Sequence, residues 1–205
     1  TRLGSDAPKG AYDVGLTRPV YIFERLICNL SEVCEKFGAY VPLYIMTSDK
    51  NDKETRAFLA EHNFFGYPEE YIAFFFQDMA ASVDFTGKIL LEEKDRLALS
   101  PNGNGGWYSS LIRAGLLTDA EARGVEWFNV FAVDNVLQRI ADPAFIGAAI
   151  ESGVNCAAKV VRKTAPEERV GVLCLEDGLP NVIEYYELSE EMAHARNKDG
   201  SLLYS

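Results

Sequence analysis

Three short polar stretches of this 205-residue chain hold the residue types that do chemistry. The first opens the chain: Thr1-Arg2-Leu3-Gly4-Ser5-Asp6-Ala7-Pro8-Lys9-Gly10. A glycine-bearing turn with one arginine and one lysine offers backbone N–H groups and two cations to a triphosphate, although an ordinary surface loop can have the same composition. The second is Ser100-Pro101-Asn102-Gly103-Asn104-Gly105-Gly106. Closely spaced glycines allow the backbone to approach a flat ligand such as a nucleobase, and they equally suit a tight turn. The third is Phe131-Ala132-Val133-Asp134-Asn135. A carboxylate following an apolar strand is placed to hold Mg²⁺, a hard cation that takes carboxylate and phosphate oxygens. A helix N-cap by Asp134 or Asn135 is the alternative.

The elements that must position these stretches follow from hydrophobic periodicity. Residues 1–16 read as a loop. Val20 to Phe37 carries a helical stripe of Ile22, Phe23, Leu26, Ile27, Leu30 and Val33. Val41 to Met46 is a buried strand leading into a helix over Lys53 to His62. Tyr71 to Gln77 is a second apolar strand, and Gly87 to Glu92 a short one after a turn. Trp107 to Ala114 and Asp119 to Gly124 are predicted helices. Trp127 to Val133 is a predicted strand ending at Asp134. Pro143 to Ser152 is a helix with proline in its first turn. Cys156 to Val161, Val170 to Leu175 and Val182 to Tyr186 are predicted strands, and Glu190 to Arg196 a helix. Strands alternate with helices over the first two-thirds, the α/β pattern, with a mixed, mainly parallel sheet. The last third is strand-rich with antiparallel pairing. No repeat or linker divides the chain, which reads as one domain. The three polar stretches lie on separate connections of such a sheet, which converge on one rim. A cationic loop, a base-sized glycine loop and a metal-binding aspartate together suit a nucleoside triphosphate.

Composition narrows the partners. Twenty Lys and Arg against 31 Asp and Glu give a net charge of −11, which argues against nucleic acid or an anionic membrane, since both need a basic face. A small anion remains compatible with a few local cations. At 48% hydrophobic and 25% charged the chain has globular composition. No run reaches the ~18 apolar residues of a membrane span, and no signal peptide opens the chain. The cysteines Cys28, Cys34, Cys156 and Cys174 lack CxxC spacing and are joined by only two histidines, His62 and His194, which argues against zinc. Buried free thiols in a reducing cytoplasm are expected. The chain begins at Thr1 without a methionine and ends just after Leu202-Leu203-Tyr204, so both ends read as cut.

Thr1 to Gly10 resembles the tail of the nucleotidyltransferase signature of the UDP-sugar pyrophosphorylase family, in its eukaryotic UDP-N-acetylglucosamine branch. Matching stretches continue in order through Tyr44-Ile45-Met46-Thr47-Ser48, Gly87 to Lys94, Asn102 to Gly106, Val133-Asp134-Asn135, Ala141 to Gly147, Ala158 to Val161, Val170-Gly171-Val172 and Val182 to Tyr185. The resemblance implies a Rossmann-like, GT-A-like nucleotide-diphospho-sugar transferase fold. The implied reaction converts UTP and a sugar 1-phosphate to a UDP-sugar and pyrophosphate with Mg²⁺, in the cytoplasm. It implies Arg2 and Lys9 on the triphosphate, Gln77, Gly103 and Asn104 at the uracil, Asp134 at the metal, and Gly171 and Glu184 at the sugar. A glucose 1-phosphate enzyme and a non-catalytic nucleotide-sugar binder are the alternatives. The family has glycine after the uracil-contacting glutamine, where this chain has Asp78. The family also has a strand and Gly-Gly-x-Gly before the signature, and further segments beyond Leu203. The chain is therefore expected to be a piece of a larger enzyme, inactive alone, with an exposed sheet edge that would let copies pair.

Overall fold

A computed structural model describes residues 7–205. Arg2 therefore lies outside the described residues. By internal contacts the chain divides into two compact units, Thr1–Gly147 and Ala148–Ser205, where the sequence reads as one domain.

The first unit is organised by α1 (Ile22–Phe37). Ile22, Phe23, Leu26, Ile27, Leu30 and Cys34 fall at helical spacing, and all six are buried. The entry to α1 is fixed by Glu24, whose carboxylate accepts the Tyr21 N–H at 3.2 Å and pairs with Arg18 at 3.1 Å. Next come β1 (Leu43–Thr47), α2 (Asp52–Glu61) and β2 (Ile72–Phe76). The two strands pair in parallel, from Leu43 opposite Ile72 to Thr47 opposite Phe76. This is a strand–helix–strand crossover, which parallel pairing requires. Its first turn is closed by side chains: Thr47 Oγ1 donates to Asp52 at 2.7 Å, and Asn51 Oδ1 accepts the Ser48 N–H at 2.8 Å. Tyr67 ties the crossover to the strand entrance. Its hydroxyl donates to the Val41 carbonyl at 2.6 Å and accepts the Val41 N–H at 3.1 Å. Leu59, Tyr67 and Ile140 complete the core around α1.

The turn after α2 is locally costly. Asn63, Phe64 and Phe65 adopt φ of 48°, 48° and 50°. Each left-handed non-glycine residue costs roughly 1 kcal/mol or more. Aromatic packing offsets this: His62 stacks on Phe65 at 5.1 Å, and Tyr21 meets Phe58 edge-on at 5.0 Å.

Beyond β2 the chain forms small antiparallel pairs, β3 (Met79–Ala81) with β6 (Leu99–Pro101), and β4 (Leu91–Glu93) with β5 (Arg96–Leu97). A tight turn at Asn104–Gly106 runs into α3 (Trp107–Arg113), followed by α4 (Leu116–Ala122). Asp119 of α4 accepts the Tyr44 hydroxyl at 2.8 Å and pairs with Arg123 at 3.0 Å. Burial, then that carboxylate, push the Tyr44 phenol up to about 12. α5 (Pro143–Glu151) follows. In the second unit β7 (Val172–Glu176) and β8 (Leu179–Ile183) form an antiparallel hairpin. α6 (Glu190–His194) is capped by Ser189 Oγ, which accepts the Met192 N–H at 3.2 Å.

The α/β class holds, with departures in strand pairing. Among the described residues the paired strands form four two-stranded sheets, of which β1–β2 is the parallel one. Trp127–Val133 and Cys156–Val161 are not paired strands. Apolar, β-prone residues make a strand only where a neighbouring edge supplies hydrogen bonds. The last strand ends at Ile183 rather than Tyr186. All four cysteines are free, but only Cys34 is buried, and Cys156 is exposed. No helix among the described residues is long and apolar enough to cross a membrane.

Two outcomes follow for the first unit. Leu59 is 0% exposed, so Leu59→Ala in the full-length protein should lower stability by about 2–5 kcal/mol in chemical denaturation. Tyr44 keeps its proton to about pH 12 when folded, against an ordinary value of 10.0. Between those values the unfolded chain binds fewer protons than the native one, so stability falls as pH rises. The contribution is complete below pH 10 and lost towards pH 12. Tyr44→Phe should flatten that alkaline slope in denaturation midpoints.

Candidate functional site

A cavity of about 540 Å³ in the first unit is lined by β1 and by the Trp127–Asp134 segment. Its floor is apolar, built from the α1 side chains Phe23, Leu26, Ile27 and Leu30. Lys9, Asn104, Trp107 and Asp134 supply its polar and aromatic rim. Lys9, Asn104 and Asp134, one from each of the three polar stretches, therefore line one concavity, whereas Gln77 and Gly103 are not among its lining residues.

Lys9 sits at the start of a tight turn, Lys9–Ala11, that precedes α1. Its Nζ donates to Asp134 Oδ2 at 2.6 Å, across 125 residues of sequence. The two side chains are 37% and 43% exposed. An ion pair in such a setting is worth about 1 kcal/mol or less. It therefore orients both groups while leaving them exchangeable: the ammonium can turn to an anion, and the carboxylate to a cation. Asp134 does not cap a helix, since α5 begins at Pro143. Among the described residues no three His, Cys, Asp or Glu side chains cluster as a metal cage. A single carboxylate still fits Mg²⁺, which is commonly held by one or two carboxylates plus substrate phosphates.

The glycine loop is held by its neighbours. Gly103 has φ 81° and ψ 176°, a region essentially closed to residues with a side chain. Gln77 follows β2 directly and is half-buried. Its N–H donates to the Thr47 carbonyl at 2.8 Å, which extends the β1–β2 ladder by one bond. One residue on, the Asp78 carbonyl accepts the Asn102 N–H at 2.9 Å, so the exit from β2 and the start of the loop are joined. Asp78 is paired with Arg113 through its carboxylate. The sequence marks Asp78 as a departure from the family pattern and has no motif that joins it to Arg113. The signal was an arginine in the last turn of a predicted helix. Trp107 was equally overlooked; it packs on Phe128 at 5.6 Å and walls the cavity.

Gly171 and Glu184 lie together in the second unit. A Cβ at Gly171 would stand 2.9 Å from Val182 Cγ1 and 3.6 Å from the Glu184 carboxylate. The glycine thus lets the β7 entrance approach Glu184, which sits just past β8. The Glu184 N–H donates to Glu187 at 2.9 Å, which closes the turn that follows.

Comparisons with known proteins bear on this arrangement. Human UDP-N-acetylhexosamine pyrophosphorylase-like protein 1 is 44% identical over 211 residues, covering 100% of this chain and 42% of the human protein. The Saccharomyces cerevisiae UDP-N-acetylglucosamine pyrophosphorylase is 43% identical, with 98% of this chain and 43% of the yeast protein covered. The crystal structure of the Trypanosoma brucei uridine diphosphate N-acetylglucosamine pyrophosphorylase superposes with a TM-score of 0.87 at 32% identity, over 99% of this chain and 42% of that one. A UDP-glucose phosphorylase from the same organism shares the fold at TM-score 0.72 and 16% identity. The chain thus spans less than half the length of the relatives it matches. The profile of the UTP–glucose-1-phosphate uridylyltransferase family matches residues 1–204, and the chain belongs to that family.

Proposed function

We propose that the full-length protein is a uridylyltransferase that joins UTP and N-acetylglucosamine 1-phosphate to give UDP-N-acetylglucosamine and pyrophosphate. The observation that carries this reading is the Lys9–Asp134 pair, which lines the same cavity as Asn104 of the glycine loop. A cation, an exchangeable carboxylate and a glycine loop are what a nucleoside triphosphate needs. The N-acetylated sugar is supported by the relatives' names. Those at 43% and 41% identity are called UDP-N-acetylglucosamine pyrophosphorylase and diphosphorylase, whereas the UDP-glucose proteins share only the fold at 16% and 14%.

On this reading the sugar phosphate oxygen attacks the α-phosphorus in line and pyrophosphate leaves. Little covalent work falls to the protein, so positioning and charge neutralisation dominate. Lys9, with Arg2, holds the β- and γ-phosphates and neutralises the leaving group. Gln77 offers an amide donor and acceptor to the uracil edge, while the open backbone at Gly103 and Asn104 lets the base lie close. Gly171 and Glu184 serve the sugar, the carboxylate accepting from hydroxyls. Asp134 would hold Mg²⁺ together with substrate phosphate, and that ion would supply charge stabilisation at the reacting phosphorus. The free thiols support a cytoplasmic location.

Two measurements on the full-length protein test the reading. Calorimetry should show UTP bound ~10²-fold more tightly than CTP, because the reversed donor pattern leaves buried polar groups unpaired. Gly103→Ala, which forces a side chain into a glycine-only conformation, should cost about tenfold or more in UTP affinity. Equal affinities for the two nucleotides would remove the uracil assignment. Separately, Asp134→Ala and Lys9→Ala should each cut pyrophosphate release by ~10²-fold or more while the thermal midpoint stays near that of the parent. Near-normal turnover in either variant would reduce the pair to a surface contact.

A further inference from the structure

Asp78 does two things at once. Its backbone carbonyl accepts the Asn102 N–H at 2.9 Å, which continues the β3–β6 ladder just beyond the Met79–Pro101 pair. Its carboxylate pairs with Arg113, the last residue of α3. Between Asn102 and Arg113 lie the glycine loop and the helix that grows from it. One residue thus holds the start of the loop by its main chain and the far end of the following helix by its side chain. Its neighbour in sequence is Gln77. The helix is otherwise anchored by Leu111, buried to 1%, and by packing on β2. Arg113 is well chosen for this place, because a cation at a helix C-terminus also meets the partial negative charge of the unpaired carbonyls.

We infer that the Asp78–Arg113 pair is a clamp that fixes the Asn102–Gly106 loop in register with Gln77, making both residues positioning residues for the nucleobase. The inference rests on the proposed role of Gln77 and Gly103 at the uracil. The exposed setting, 31% for the Asp78 side chain and 58% for Arg113, sets its strength. Such a pair biases a loop's population severalfold and does not decide whether the protein folds. The pair also explains why a carboxylate is tolerated beside the proposed base site. The Asp78 carboxylate is paired with Arg113 at the helix end.

The test uses the full-length protein with Arg113→Met, Asp78→Asn, Arg113→Lys and the reversed pair Asp78→Arg with Arg113→Asp. Hydrogen exchange of the amides from Asn102 to Trp107 should speed up about three- to fivefold in the two neutral variants. The Michaelis constant for UTP should rise by a similar factor, with that for the sugar 1-phosphate unchanged. Arg113→Lys should fall between, because it keeps the charge and loses the planar fork. The reversed pair should recover most of the loss. A loop whose exchange ignores both neutral variants would overturn the clamp, as would a reversed pair no better than either single change. Equal rises for both substrates would also overturn it, since they would signal general damage. Gln77→Ala separates this failure from that of the base site. If it leaves the UTP to CTP preference intact while loop exchange still follows Arg113, the uracil assignment fails and the clamp stands. If the preference collapses while the loop ignores Arg113, only the clamp fails.

Discussion

Everything in the first unit hangs on the apolar face of α1. A 16-residue helix with six buried residues on one side must find a cover, and the parallel pair β1–β2 with α2 supplies it. Full burial of each large aliphatic side chain is worth roughly 1.5–3 kcal/mol, so this contact outweighs any single polar interaction in the molecule. Its direction also matters. With α1 fixed against the strands, the turn that carries Lys9 is fixed at its N-terminal end, and the strand ends that precede Ser48 and Gln77 face one side. The rim that collects Lys9, Asn104 and Asp134 follows from where an apolar helix can be buried.

The same helix explains why the cavity is apolar below and polar above. Phe23, Leu26, Ile27 and Leu30 serve the core and floor the cavity at once. The hydrogen bond from the Asn102 N–H to the Asp78 carbonyl holds the start of the glycine loop at the exit of β2.

The sequence made α1, β1, α2 and β2 readable because each has one strong period and a clear terminator. α1 runs over Ile22–Phe37 within the stripe that begins at Val20, and Thr47 to Asp52 is the polar turn expected between strand and helix. Lys9 and Asp134 were each legible as candidate site residues, but their direct pairing was not, because nothing local joins residues so far apart and the segment before Asp134 is not a paired strand. Unpaired segments were less legible. Trp127–Val133 has strand composition, but pairing depends on a neighbour that composition cannot report. The β7–β8 boundary was missed for a local reason: Asp177-Gly178 is a two-residue hairpin turn with φ of 51° and 81°, so β8 starts at Leu179 rather than Val182. The Asp78–Arg113 pair was illegible because its partners come from separate elements and neither has a pattern that names the other.

The charge balance at the rim gives a reason for the metal in the proposed reaction. The protein carries −11 overall, but charges beyond about 10 Å are largely screened at ordinary ionic strength, so the local groups decide. Lys9 alone would attract a triphosphate, and Asp134 alone would repel it. Joined at 2.6 Å, each group orients the other. On the proposed reading Asp134 would hold a divalent cation together with substrate phosphate, and Lys9 would serve the phosphates. The carboxylate then has a role in both states. Before binding it holds a flexible lysine in place, which lowers the entropy lost when that lysine engages the ligand. After binding it would anchor the metal of the proposed reaction. A neutral residue at position 134 could do neither, and this is why the ion pair, weak as it is in energy, is the feature of the rim that the proposed chemistry depends on.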